Sequence, residues 1–130
     1  MLHLYPAAVT VLALLVYLGV TINAGRNRAK HKVLAPATTG HPLFERALRV
    51  QMNTLEHLVL FLPALWLCAM YGSWLWASAI GSLWIPGRIL YAIAYMRDPA
   101  GRGPGFMIGS LVEVVLLAGA AAGIAHGLLK

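Results

Sequence analysis

Arg49, Asn53 and Glu56 follow one another at spacings of four and three residues, and Arg88, Tyr91 and Tyr95 at three and four. Both are helical spacings that put three side chains on one face. His57 borders the first stripe, and Arg102 lies seven residues beyond Tyr95, in register with the second stripe if the helix runs that far. Together the stripes carry three arginines, two phenolic hydroxyls, an amide and one carboxylate. Arginine forks suit carboxylates, and a lone glutamate among arginines suits an ammonium group. A small zwitterionic peptide with more than one carboxylate fits such a set. The alternative is a structural network: Arg49 on Glu56, and Asn53 on a backbone carbonyl, would fix helix packing without any ligand. The surplus of cations tilts the balance toward a missing anion. Arg49, Arg88 and Arg102 answer to Glu56 alone, and unpaired buried charge is expensive.

The elements that carry these stripes follow from hydropathy. The chain has 130 residues, 60% of them hydrophobic and only 11% charged, with a mean hydropathy of +0.75. Long apolar blocks at that level indicate a membrane protein, and the length allows one domain, residues 1–130. Leu4 to Ile22 is free of charge for 19 residues, about one bilayer crossing, and lacks the features of a cleaved signal peptide. The next charge-free stretch, Leu58 to Gly87, has 30 residues. That is too long for one crossing and too short for two. Tyr71-Gly72-Ser73 offers a turn in its middle, so each half has to borrow length from its polar neighbour. The segment Glu45–His57 therefore becomes the inner half of the second span, and Arg88 falls inside the third. The expected spans are about 4–28, 43–70, 74–97 and 105–128.

The result is an all-α, integral membrane four-helix bundle. Six of its ten Lys and Arg residues lie in two loops, Arg26, Arg28, Lys30 and Lys32 in one and Arg97 and Arg102 in the other, whereas the loop at Tyr71–Ser73 has no charge. Positive loops stay in the cytoplasm, so both termini face the other side and the stripes open toward the cytoplasm. The net charge of +6 is thus a loop property, and no nucleic-acid partner is expected. Cys68 sits in an apolar run and reads as an inert buried thiol. The histidines show no metal-ligand spacing, and no metal is expected. Trp66, Trp74, Trp76 and Trp84 read as lipid-facing or interfacial anchors. Glu113, alone in the fourth span, reads as a buried partner to a histidine or arginine, or as a protonated carboxyl.

The segment FERALRVQMNTLEH, followed by an apolar run and then by GRILYAIAY and RGPGF, resembles the MAPEG family of membrane proteins in eicosanoid and glutathione metabolism. The resemblance is to microsomal glutathione transferases and cysteinyl-leukotriene synthase, and covers nearly the whole chain. It implies a homotrimer with a glutathione site between subunits, serving as a detoxifying transferase, with glutathione-dependent peroxidase activity also possible in such enzymes. By that resemblance Arg49, Asn53, Glu56, Tyr91 and Tyr95 correspond to glutathione-binding residues, and Arg88 to the arginine that opens the third-span motif. Gln51 and Arg28 correspond to residues given by the adjacent subunit. His57 stands where cysteinyl-leukotriene synthase has a tyrosine. Arg102 corresponds to the catalytic arginine that holds the glutathione sulfur as a thiolate. Glutathione would be the co-substrate, and a hydrophobic electrophile would enter from membrane lipid. The alternative within the family is a non-catalytic lipid-binding or regulatory protein.

Overall fold

The computed structural model describes residues 1–130 and is wholly helical. Helix α1 runs from Leu4 to Lys30 with Pro6 in its first turn, where a missing N–H leaves no bond unmade. Helix α2, Pro42–Tyr71, starts at a cap: the His41 ring accepts the Leu43 N–H at 3.1 Å, and Pro42 fixes the first helical φ. It continues unbroken through Pro63 and ends where the Gly72 N–H reaches the Cys68 carbonyl. The Ser73 hydroxyl then accepts the Trp76 N–H and starts α3, Trp74–Ser82.

A single third helix was expected, but the structure interrupts it at Leu83, and α4 runs from Trp84 to Arg97. Pro86 supplies the reason, since it removes the donor that the Ser82 carbonyl would have used. Leu83 keeps α-region dihedrals (φ −69°, ψ −21°), so α3 and α4 act together as one crossing. A 3-10 turn at Pro99–Arg102 follows, started by the Asp98 carboxylate accepting the Ala100 N–H at 3.1 Å. Helix α5, Gly103–Leu128, completes the chain. Four helical stretches are long and apolar enough to cross a membrane: Leu4–Lys30, Pro42–Tyr71, Trp74–Arg97 and Pro99–Leu128.

The core lies between α2 and the other helices, with Val9, Phe61, Leu65, Trp84 and Leu116 in one cluster. Helix α5 approaches closely because its interface residues are glycines. A Cβ on Gly105 would lie 2.7 Å from the Tyr91 Cα, and one on Gly123 would lie 2.7 Å from the Tyr71 carbonyl carbon. Large aliphatic side chains such as Leu12, Leu15, Val59, Leu111 and Val114 point outward and are exposed. In water such a surface would aggregate, whereas in lipid it is the expected exterior.

Candidate functional site

Tyr91 is where the two stripes meet. It is 2% exposed and packs with Val20 of α1 and Val50 of α2, with Tyr95 beside it at 5.6 Å between ring centroids. Arg88, one turn earlier on α4, lies with its guanidinium 4.2 Å from the Tyr91 ring centroid. Of the three arginines only Arg88 lies against Tyr91; Arg49 precedes Val50, which packs on Tyr91, and Arg102 precedes by four residues Phe106, whose ring centroid is 6.3 Å from that of Tyr91.

Only Arg88 among them is sealed inside the chain, at 0% exposure. It donates to Asn53 Oδ1 at 2.8 Å and to Thr54 Oγ1 at 2.9 Å, while its Nε and Nη1 have no partner. Asn53, expected on a backbone carbonyl or a ligand, here gives its oxygen to Arg88. Thr54 passes the interaction on, donating to the Val50 carbonyl at 2.7 Å. Threonine at this position carried no signal in the sequence beyond being one residue from Asn53.

Arg49 and Glu56 pair across two helical turns at 3.2 Å, with side chains 49% and 56% exposed. The surplus cations are therefore mostly at the surface of the single chain and not buried in it. Gln51 is half-buried on the same helix. Arg28 is engaged by the loop that follows α1: it donates to the Val33 and Ala37 carbonyls at 3.3 and 3.0 Å and lies over the Phe44 ring at 4.5 Å. It pins the loop between α1 and α2. Arg102, in the 3-10 turn and beyond the end of α4, donates to the Pro99 carbonyl at 2.9 Å and is exposed. Arg46, which sequence reasoning gave no role, caps the end of α4 by donating to the Met96 and Arg97 carbonyls at 3.0 and 3.2 Å.

His57 is turned inward. Its Nδ1 lies 2.8 and 2.9 Å from the two oxygens of Glu113, which is 1% exposed on α5. The Trp84 indole N–H donates to the same carboxylate at 3.0 Å. Glu113 thus has the buried histidine partner that its isolation in the fourth span required. Trp84 departs from the expected interfacial anchor: it is 0% exposed and stacks on Phe61 at 4.4 Å. Its place one turn before Arg88 on the same face was the available signal.

Elsewhere, α1 and α4 leave an apolar groove of about 420 Å³ lined by residues including Leu12, Leu15, Val20, Ile85 and Ile89. A second hollow sharing Gly19, Val20, Ala92 and Ile93 continues it to Met96 and Arg97. The groove therefore runs from a fully apolar section toward the basic end of the bundle.

Comparison with known proteins gives matches over most of the chain. The family model of the MAPEG family matches residues 6–122. An uncharacterised protein of Synechocystis sp. is 51% identical over 117 residues, covering 90% of this chain and 85% of that protein. Human microsomal glutathione S-transferase 2 is 34% identical over 123 residues, 95% of this chain and 84% of the relative. Leukotriene C4 synthase of Cavia porcellus is 36% identical over 92 residues, 71% of this chain and 61% of that protein.

Proposed function

The chain belongs to the MAPEG family of integral membrane proteins, and on that premise we propose that it is a glutathione transferase acting on lipophilic electrophiles. The observation that carries this reading is the Arg88 guanidinium, buried against Tyr91 and Asn53 with Nε and Nη1 unpartnered, beside the half-exposed Arg49–Glu56 pair. Glutathione has two carboxylates, one ammonium group and a thiol, and so complements that charge pattern. Arg49, Glu56, His57, Tyr91 and Tyr95 form the glutathione-facing wall. Asn53 and Arg88 act from behind it, as a buried pair that fixes the facing surfaces of α2 and α4.

A half-exposed ion pair on a helix within a membrane span needs a polar cover. A second copy of the chain supplies it, and we assign the protein as a homotrimer in which Arg28 and Gln51 reach a neighbour's glutathione. The basic residues Arg26 to Lys32 around the end of α1 and Arg97 and Arg102 around the end of α4 support a cytoplasmic site with both termini opposite. The groove along α1 and α4 suits the hydrophobic electrophile.

Arg102 carries the chemistry. A free thiol has a pKa of about 8.5, and a cation in a partly dry site lowers it so that thiolate accumulates near neutral pH. The thiolate then attacks an electrophilic carbon of the second substrate: the C–S bond of the thioether forms while the carbon–leaving-group bond breaks, and the leaving group departs with that electron pair. The same thiolate would also serve a peroxide substrate.

The test uses the purified full-length protein in detergent, with glutathione binding by calorimetry and conjugation to an aryl halide. Arg49→Ala should abolish binding and turnover together. Arg102→Ala should keep binding and lose roughly 10²–10³ in turnover, the usual loss when one donor to a developing anion is removed. No binding of glutathione at millimolar concentration by the wild type would sink the proposal.

A further inference from the structure

We propose that His57 is the proton acceptor that converts bound glutathione thiol to thiolate, and that Glu113 is the positioning residue that makes it one. The inference rests on the glutathione reading above and adds to it a group that arginine cannot replace. Arg102 can stabilise a thiolate, but a guanidinium has no lone pair with which to take the thiol proton.

The geometry sets the tautomer. The Glu113 carboxylate accepts the Trp84 indole N–H at 3.0 Å and lies 2.8 and 2.9 Å from His57 Nδ1. An ionised carboxylate only accepts, so Nδ1 carries the hydrogen and Nε2 keeps its lone pair. Nε2 has no partner in the chain, yet it is not among the sealed unpaired atoms, and 16% of the side chain remains exposed. The ring lies edge-on to Phe106 at 5.3 Å between centroids, and Phe106 lies 6.3 Å from Tyr91. Phe106 thus touches both rings and joins the imidazole to the wall that carries Tyr91. Phe106 follows Arg102 by four residues, so the same ring links His57 to the segment that carries Arg102.

Charge balance favours the same role. Glu113 from α5 is the charged group in contact with His57; nearby, Arg88 lies against Tyr91 on α4, Arg49 pairs with Glu56 on its own helix, and Tyr17 is the titratable group that α1 packs against this core. Inside the chain the permanent charge of Arg88 is offset by Glu113, and a neutral His57 leaves the buried cluster balanced. Proton transfer breaks the S–H bond, leaves its electron pair on sulfur and forms an N–H bond at Nε2. The cluster then carries one positive charge opposite one thiolate. After attack on the electrophile, the same proton is available to the leaving group. A buried carboxylate inside a membrane span is costly unless it is used, and this use needs its partner and its depth.

Two measurements test the proposal on the full-length protein. In the first, glutathione is titrated into wild type in buffers of different ionisation enthalpy near pH 7, which counts protons released to solvent. His57 as acceptor predicts thiolate absorbance with clearly less than one proton released per thiolate formed. Release of one full proton per thiolate overturns it, and no variant is needed. In the second, Glu113→Gln and His57→Gln are compared with wild type for glutathione affinity and for conjugation from pH 6 to 9.5. Glutamine at 113 can still accept from Trp84 and from Nδ1–H, so it tests the charge with the shape kept. Both variants should lose about 10²-fold in kcat at pH 6.5, at the low end for general-base catalysis, and Glu113→Gln should do so with near wild-type affinity for glutathione. The deficit should shrink above pH ~9, where solvent alone ionises a thiol of pKa ~8.5. A deficit that does not vary with pH, or none, overturns the role of His57. If wild type fails to bind glutathione, the functional reading itself falls; binding with an unchanged pH profile in both variants removes this inference alone.

Discussion

Replacing Arg88 by methionine removes the one fully buried cation and keeps an unbranched apolar stem of similar reach. The guanidinium makes two bonds within 3 Å, to Asn53 Oδ1 and Thr54 Oγ1. Hydrogen bonds to a charged group contribute about 1.5–3 kcal/mol each, so the gross loss is roughly 3–6 kcal/mol. Methionine recovers part of this through apolar burial, but it also leaves Glu113 without its nearest buried countercharge. Removing one member of a buried charge set typically costs about 3–5 kcal/mol. The expected net loss is about 3 kcal/mol, on the order of 100-fold in the folding equilibrium. The assay is unfolding in mixed detergent, with SDS as denaturant and far-UV circular dichroism as the signal, without glutathione. Wild type, Arg88→Met, Asn53→Ala and the double variant form a cycle. Asn53→Ala should cost about 1.5–3 kcal/mol alone and at least 1 kcal/mol less beside Arg88→Met, because its partner has already gone. Strict additivity, or an Arg88→Met protein within about 0.5 kcal/mol of wild type, would refute the anchoring role derived from the geometry.

Arg49→Ala should leave stability within about 1 kcal/mol of wild type, since its bond to Glu56 is half-exposed, while glutathione binding disappears; a large loss of stability would assign the pair to structure. Gly105→Ala should destabilise by about 1–3 kcal/mol in the same SDS titration, because its Cβ would meet the Tyr91 backbone, which cannot retreat like a side-chain tip; an unchanged midpoint would contradict the close helix contact. At the α1–α2 loop, His31 stacks on His41 at 3.6 Å, and partial burial, then His41 and Lys30, hold its pKa below the ordinary ~6.5. A base with a lowered folded pKa binds its proton more tightly when the segment opens, so this contact is intact above about pH 6.5 and weakens as pH falls below it. Hydrogen exchange of residues 31–41, corrected for intrinsic rate, should rise on acidification and not in His31→Phe; equal behaviour of the two proteins would dismiss the stack as the cause.

The four crossings were legible because they rest on arithmetic that a membrane enforces. Thirty uncharged residues between His57 and Arg88 cannot be crossed once or twice at ordinary lengths, so the polar flanks had to be helix. The convergence of the 49–56 and 88–95 stripes followed from helical periodicity. What periodicity could not supply was the far partner. His57 and Glu113 are 56 residues apart, on helices whose rotation about their axes depends on glycines at 105 and 109 that let α5 press against α4. Trp84 was misplaced for a related reason, since a tryptophan within a span is compatible with lipid or core until its face is fixed. The break at Leu83 was missed because Pro86 was read as part of a continuous span, although a proline removes a bond four residues back.

Helix α2 divides its polar residues by depth of burial, and that division explains how one segment serves packing and chemistry at once. Asn53 and Thr54 hold Arg88, and His57 holds Glu113, all on the covered side, while Arg49 and Glu56 stay half-exposed on the edge of the same stripe. Burying a cation, a carboxylate and an imidazole in one bundle seldom raises stability above what well-packed apolar side chains would give. Such a set is worth keeping where its charges must already be in place when the ligand arrives, because preorganised groups need no rearrangement as charge develops. Triple replacement of Arg88, Glu113 and His57 by methionine, leucine and phenylalanine should therefore fold at least as firmly as wild type in SDS titration and conjugate no glutathione. A triple variant that is active would show that the buried charges serve assembly alone, and one that cannot fold would show that they hold the bundle together.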